Sequence, residues 1–169
     1  MKTDQKTDSK LQKNTISLAG EFAVLSQLAL RGIDANLTLG NTKSVDILAS
    51  NPATGSMFRI EVKTSKITST KMPNTLSWIM GSKHEKIIDP NLYYCFVTIH
   101  LKTNSFRFFV VPSREVAGYV TASHSHWLEK GNVVDNVIRN FRITADEGTL
   151  EVPTPLASKY ENAWLYFTN

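Results

Sequence analysis

Asp46, Glu61 and Lys63 combine two carboxylates and an amine at a spacing that neighbouring strands can bring together. A hard divalent cation such as Mg²⁺ takes a few carboxylate oxygens, phosphate oxygens and retained waters. Asp46 and Glu61 can supply the protein's part of that shell. The cation would polarise a phosphoryl oxygen and ease deprotonation of a bound water, with Lys63 positioning that water and offsetting developing negative charge. Lys63 acts as a base only if it is neutral. The chemistry in view is phosphodiester hydrolysis assisted by Mg²⁺ or Mn²⁺.

The elements that must position these groups are short extended segments. Val45 to Ser50 and Met57 to Lys63 flank the turn Asn51-Pro52-Ala53-Thr54-Gly55, which predicts antiparallel pairing with Asp46 directly opposite Glu61. On one face of such a pair the two Cβ atoms would lie about 4.5 to 5.5 Å apart, where like charges repel unless something positive sits between them. Lys63 shares the face of Glu61, because strand side chains alternate, and Ile60 and Val62 turn to the other side. An acid-x-Lys triplet alone is a weak signal: Asp4-Gln5-Lys6 and Asp8-Ser9-Lys10 match it too, but within a polar arm. Only Glu61-Val62-Lys63 falls in a strand.

Around this pair the periodicity predicts a helix from Ser17 to Arg31, with Leu18, Phe22, Leu25, Leu28 and Ala29 as its apolar stripe. Ser17 can cap its start and Gly32 can end it. Glu21 lies on the edge of that stripe, an unusual place for a carboxylate without a partner. Ala35 to Leu39 adds a strand, joined to the next by Gly40-Asn41-Thr42-Lys43, and completes an antiparallel meander. A parallel return to the sheet needs a crossover, and Leu76 to Ile88 is the stretch available for its helix. Asn91 to His100 and Phe106 to Val111 are two further strands joined by Lys102-Thr103-Asn104-Ser105. A helix follows from Ser113 through Tyr119 toward Trp127, and Leu156 to Phe167 carries Tyr160, Ala163, Trp164 and Phe167 at helical spacing. Asn132 to Pro155 matches no pattern well.

With 169 residues, 41% of them hydrophobic, the chain can bury one substantial core, and one domain is expected over 15–169 behind a flexible polar arm at 1–14. The lone Cys95 excludes an intrachain disulfide and a Cys-rich metal site, and fits a reducing cytoplasm. No apolar run approaches the roughly 20 residues of a membrane-spanning helix, so no membrane partner is expected. Nineteen Lys and Arg against 15 Asp and Glu permit a polyanionic partner without demanding one. Between Arg59 and Lys86, however, six basic residues (Arg59, Lys63, Lys66, Lys71, Lys83, Lys86) face only Glu61 and Glu85. Such a patch could hold phosphates beside the site, with Thr64, Ser65, Thr68 and Ser69 as further donors.

Other features have plainer readings. His124 and His126 lack the companions of a zinc set and read as structural or surface residues, whereas His84, beside Lys83, could approach the cleft without an assigned role. The aromatic density of Tyr93, Tyr94, Phe96, Phe106, Phe108 and Phe109 is that of a buried sheet. A Gly-x-Ser-x-Gly nucleophile elbow, a phosphate-cradling Gly-x4-Gly-Lys loop and a dinucleotide fingerprint are all missing, which argues against serine hydrolases, nucleotide switches and Rossmann oxidoreductases.

Val45-Asp46 and Glu61-Val62-Lys63, in this order of elements, resemble the PD-(D/E)XK nuclease superfamily, which includes many restriction endonucleases and archaeal-type Holliday junction resolvases. The resemblance covers roughly Ser17 to Val111, and Val45 stands where that family often has proline. It implies an α/β restriction endonuclease-like core, with a central mixed β-sheet of about five strands flanked by helices. By the same resemblance Asp46, Glu61 and the Val62 carbonyl would ligate metal, Glu21 would assist directly or through water, and Lys63 would serve the nucleophilic water, leaving 5′-phosphate ends. Arg59, Lys66, Lys71, Lys83 and Lys86 would contact nucleic acid, DNA in preference to RNA. Cutting both strands of a duplex calls for two such sites, which a homodimer would provide. The alternative is a nuclease-fold module without activity, binding nucleic acid or a protein partner in a DNA-processing or defence complex; a third reading is a subunit or accessory factor of such a complex, with Trp127, Tyr160 and Trp164 forming its interface.

Overall fold

The protein, described by a computed structural model over residues 12–38, 45–131, 135–147 and 150–169, begins with helix α1 (Lys13–Ala29). Most of the polar arm and the expected 40–43 turn lie outside the described residues. Strands β1 (Asp34–Leu37), β2 (Ile47–Ser50) and β3 (Met57–Ile67) follow as the expected antiparallel meander. After β4 (Thr75–Gly81) and a 3-10 turn (Ser82–Glu85), β5 (Leu92–His100) runs parallel to β3 and pairs antiparallel with β6 (Ser105–Pro112). The five-stranded mixed sheet has the order β1-β2-β3-β5-β6. Helix α2 (Ser113–Glu129) then leads to β7 (Ile138–Thr144), which forms a separate antiparallel ribbon with β4.

That ribbon overturns the helix expected over Leu76 to Ile88. Leu76, Trp78 and Met80 alternate inward, and exposed Ile79 between them fills the gap in the apolar pattern that would have betrayed a strand. The crossover from β3 to β5 is therefore made by a β-strand, whose partner β7 arises from the stretch that showed no pattern. Trp78 packs on Phe96 and Phe109, and Phe141 of β7 stacks on Phe96 with centroids 4.2 Å apart, so the ribbon covers the sheet as a crossover helix would.

Helix α1 covers the opposite face with only part of the predicted stripe: Leu28 is buried and Leu25 packs on the core beside it. Ile16, Gly20, Val24 and Leu28 are buried, whereas Leu18 and Phe22 are 45% and 55% exposed. Ser17 is not the cap either, since the helix starts at Lys13; Gly32 does close it, in the left-handed region at φ 71°. The rotation has a steric cause at Gly20, where a Cβ would meet Thr64 Oγ1 at 2.0 Å. A row centred on Gly20 lets the helix backbone approach β3 more closely than a row centred on Leu18 and Phe22 would.

Two apolar clusters result. One joins α1 to Ile47, Ile60, Val62, Cys95 and Val97; the other joins the ribbon and α2 to Tyr94, Phe96, Phe109 and Val111. The alternation of β3 thus sends Ile60 and Val62 toward α1, and Glu61 and Lys63 toward the ribbon side.

The single C-terminal helix expected over Leu156 to Phe167 is instead two short turns, α3 (Ala157–Tyr160) and α4 (Leu165–Thr168). Between them the chain meets the edge of β6: Glu161 bridges Phe109, the Asn162 N–H donates to the Phe108 carbonyl at 2.9 Å, and Asn162 adopts φ 53°. Arg107 donates to both Glu161 oxygens at 2.6 and 2.7 Å, which fixes the segment where an edge strand would otherwise be open. Tyr160 and Trp164 are buried in the two clusters and so cannot form the partner surface suggested for them. Among the described residues, no helix is long and apolar enough to cross a membrane.

Candidate metal and phosphate site

Strand β3 carries Glu61, Val62 and Lys63 through the middle of the sheet, and β2 starts beside them at Ile47. The β2–β3 ladder has the expected register from Ile47↔Ile60 to Ser50↔Met57, but Asp46 departs from it. Its N–H donates to the Ile60 carbonyl at 2.9 Å, so Asp46 and Ile47 both face Ile60, the local pattern of a β-bulge. Asp46 is therefore not a simple cross-strand partner of Glu61. Its carboxylate swings into the sheet edge, where Oδ2 accepts the Val62 N–H at 2.7 Å. The N–H and C=O of one strand residue point the same way. The Val62 carbonyl thus opens on the side of Asp46, past the end of the β2 ladder.

Glu61 is 4% exposed. Lys63 Nζ donates to its Oε1 at 2.5 Å, as expected of residues two apart on one strand face. Its Oε2 is buried and has no hydrogen-bond partner among the described residues. Leaving such an oxygen unpaired costs about 1 to 3 kcal/mol or more for a charged group. A hard cation beside Asp46 would satisfy that oxygen, so the donor set fits Mg²⁺ or Mn²⁺. Among the described residues, no three His, Cys, Asp or Glu side chains gather within metal-ligating reach, and the protein's share of a shell is limited accordingly.

The electrostatics tie Glu21 and Lys83 to the same place. Burial raises the Asp46 carboxyl above its ordinary value; the Val62 N–H opposes the rise, the charge on Glu61 adds to it, and Lys63 and Lys83 oppose it. Glu21, half-buried on α1, is raised by burial first and then by Asp46, with Lys63 opposing. Glu21 therefore feels Asp46 and Lys63 without completing a three-carboxylate set.

The far wall is a polar pair within the apolar ribbon cluster. Nδ1 of His84 and the Tyr94 hydroxyl share a 2.7 Å hydrogen bond, and burial lowers the His84 pKa to about 4. A ring so shifted is neutral at neutral pH. His84, which sequence patterns could only suggest, is placed by the 3-10 turn that also carries Lys83.

The other proposed nucleic-acid contacts are less uniform. Lys66, Lys71 and Lys86 are exposed and have no ion-pair partner among the described residues. Arg59 forms an ion pair with Asp89, and its guanidinium is engaged there. His124 and His126 pair with Asp135 and Glu151 at 2.8 and 2.9 Å, which accords with a structural reading.

No protein-family model matches the chain, and no curated protein does either. Among solved structures it is similar to that of a bacterial homing endonuclease, I-Ssp6803I, with a TM-score of 0.53. The likeness covers 91% of this chain and 89% of that one, at 13% identity. At this identity the likeness concerns the fold, a mixed five-stranded sheet flanked by helices.

Proposed function

We propose that the chain is a divalent-metal-dependent endonuclease that hydrolyses phosphodiester bonds, in DNA in preference to RNA. The observation that carries this reading is the buried Oε2 of Glu61, which has no hydrogen-bond partner among the described residues, together with a carboxylate held by the Val62 N–H. The fold it shares with a homing endonuclease, and the PD-(D/E)XK resemblance of Asp46, Glu61 and Lys63, support the same reading.

Asp46, Glu61 and the Val62 carbonyl would hold the cation. When bound, Mg²⁺ or Mn²⁺ would supply Lewis-acid activation of the phosphate and of a water. Asp46 Oδ2 stays with the Val62 N–H, which orients the carboxylate and leaves Oδ1 as its donor. Lys63 Nζ would move from Glu61 toward the attacking water, orient it, and balance the charge that develops on the phosphoryl oxygens. Glu21 would take part through water, and Lys66, Lys71, Lys83 and Lys86 would hold flanking phosphates. Water oxygen bonds to phosphorus as the bond to the leaving 3′-oxygen breaks, so the product carries a 5′-phosphate. Two copies of the chain would cut both strands of a duplex.

A second reading, a nuclease fold that binds nucleic acid or a protein partner without cutting, draws on the Lys63–Glu61 pair, which neutralises itself without a cation. The experiment that separates them presents supercoiled, linear, branched and single-stranded DNA to the wild type and to Lys63→Ala, with and without Mg²⁺. Cleavage by the wild type alone, and only with the cation, supports the enzyme. Intact substrates throughout, or equal cutting by both proteins, end that reading.

A further inference from the structure

Away from the carboxylates, a cavity of about 360 Å³ opens between α2 and β7. Its size falls within the range of ligand pockets, about 300 to 1,000 Å³. Tyr119, Ser123 and Trp127 line it from α2, and Arg139, Asn140 and Arg142 from β7.

The charges there are unequal in what they leave over. Lys130 and His126 both meet Glu151, and His124 meets Asp135. Arg139, 5% exposed, is held by Glu85 and by the Asn136 and Ile138 carbonyls. Arg142 differs: it reaches Ser123 Oγ at a long 3.4 Å and has no carboxylate within ion-pair distance among the described residues. A half-buried guanidinium so placed suits a phosphate, to which it can donate in parallel.

Beside it is an aromatic surface. Trp127 lies nearly parallel to the His124 ring, with centroids 5.5 Å apart and planes at 18°, and remains 38% exposed. A planar base can stack on such an indole, while the amide of Asn140 and the hydroxyl of Ser123 offer polar partners for its edge or sugar. A stacking face and a guanidinium in one cavity match one nucleotide whose base is out of a duplex stack.

The cavity wall is tied to the turn that carries Lys83. Arg139 of its wall pairs with Glu85, on the same 3-10 turn as Lys83, whose charge acts on Asp46. We infer that the α2–β7 cavity binds an unpaired nucleotide of a nucleic-acid strand, its phosphate on Arg142 and its base on Trp127. This rests on the nucleic-acid substrate proposed above.

Trp127 itself is the reporter, because Trp78 and Trp164 are only 2% and 3% exposed. The test titrates tryptophan fluorescence in chelator, where no cleavage is read, with a single-stranded oligonucleotide, a fully paired blunt duplex, a deoxynucleoside monophosphate and inorganic phosphate. Saturable quenching by the single strand is expected, stronger than by the monophosphate and with little quenching by the duplex. Arg142→Gln is expected to weaken it about tenfold or more. Arg142→Lys, which keeps the charge and loses the fork, should fall between and serves if the glutamine variant does not fold. The inference is overturned if no single strand quenches, if both variants bind like the wild type, if phosphate alone competes as well as the strand, or if duplex and single strand bind equally. Because divalent cation is absent, failure here leaves the cleavage test untouched, and absence of cleavage leaves this binding measurement intact.

Discussion

The Val62 N–H donates to Oδ2 of Asp46 at 2.7 Å, where a regular ladder would offer it a backbone carbonyl. This bond holds a half-buried carboxylate beside Glu61 although both are acidic, and burial raises the Asp46 pKa as a consequence. Asn at this position keeps the acceptor and removes the charge. Asp46→Asn is therefore expected to retain the fold, to melt at a higher temperature than the wild type in chelator, and to lose divalent-dependent cleavage by about a hundredfold or more. Paired thermal melts and cleavage assays check both halves; a lower melting temperature would mean that the charge at Asp46 stabilises the fold.

The raised pKa values of Asp46 and Glu21 set a sign for pH. Each folded carboxyl holds its proton more tightly than the unfolded chain does, so its contribution to stability is fully present below the ordinary carboxylate pKa. That contribution is lost as pH rises through the raised value. Cation binding requires the proton to leave. Mn²⁺ affinity, measured by calorimetry across this window, should climb with pH and level off above the raised values, with proton release visible as a dependence on buffer. Glu21→Gln should weaken Mn²⁺ binding less than Asp46→Asn, since Glu21 completes no set of three ligands.

Among the described residues, Lys63 is the one donor to a carboxylate whose other oxygen has no partner. Lys63→Met leaves both oxygens of Glu61 without a partner among the described residues. Because Lys63 is itself partly exposed, the expected loss is about 1 to 3 kcal/mol in chelator, below the figure for a fully buried pair. Denaturant unfolding measures it. Mn²⁺ should recover more stability in Lys63→Met than it adds to the wild type, and an equal increment in the two would show that no cation reaches Glu61.

The residues with the clearest chemistry were legible because strand alternation is strict: Glu61 and Lys63 had to share a face once β3 was recognised. The bulge at Asp46 was not legible, since it depends on one backbone N–H choosing a side chain over a carbonyl. The β4–β7 ribbon was hidden for a different reason. Exposed Ile79 broke the alternation that Leu76, Ser77 and Trp78 begin, and the partner strand at Ile138–Thr144 carries Arg139, Asn140 and Arg142 among its apolar residues. His84 and Lys83 could be placed only with that ribbon. The pairing of Arg59 with Asp89 was not legible either, because the two residues are distant in sequence.

The exposed half of the expected α1 stripe leads to the final prediction. Leu18 and Phe22 looked like core because they are the larger residues, yet the close contact is made by Gly20 against Thr64. Gly20→Ala improves helix propensity by about 1 kcal/mol. Its methyl would nevertheless lie 2.0 Å from Thr64 Oγ1 and 3.0 Å from the Thr64 Cβ, so α1 or β3 must shift. Overpacking of this kind costs about 1 to 3 kcal/mol, and the net effect expected is destabilisation. It should also weaken Mn²⁺ binding, because the next residue, Glu21, moves with the helix relative to Asp46. Thr64→Ala removes a buried hydroxyl that has no hydrogen-bond partner among the described residues, and clears the nearest contact. Gly20→Ala combined with Thr64→Ala should therefore be more stable than Gly20→Ala alone, a non-additivity that a double-mutant cycle in denaturant reads directly. Additive effects would mean that the two residues do not touch, and that another contact sets how close α1 lies to the site.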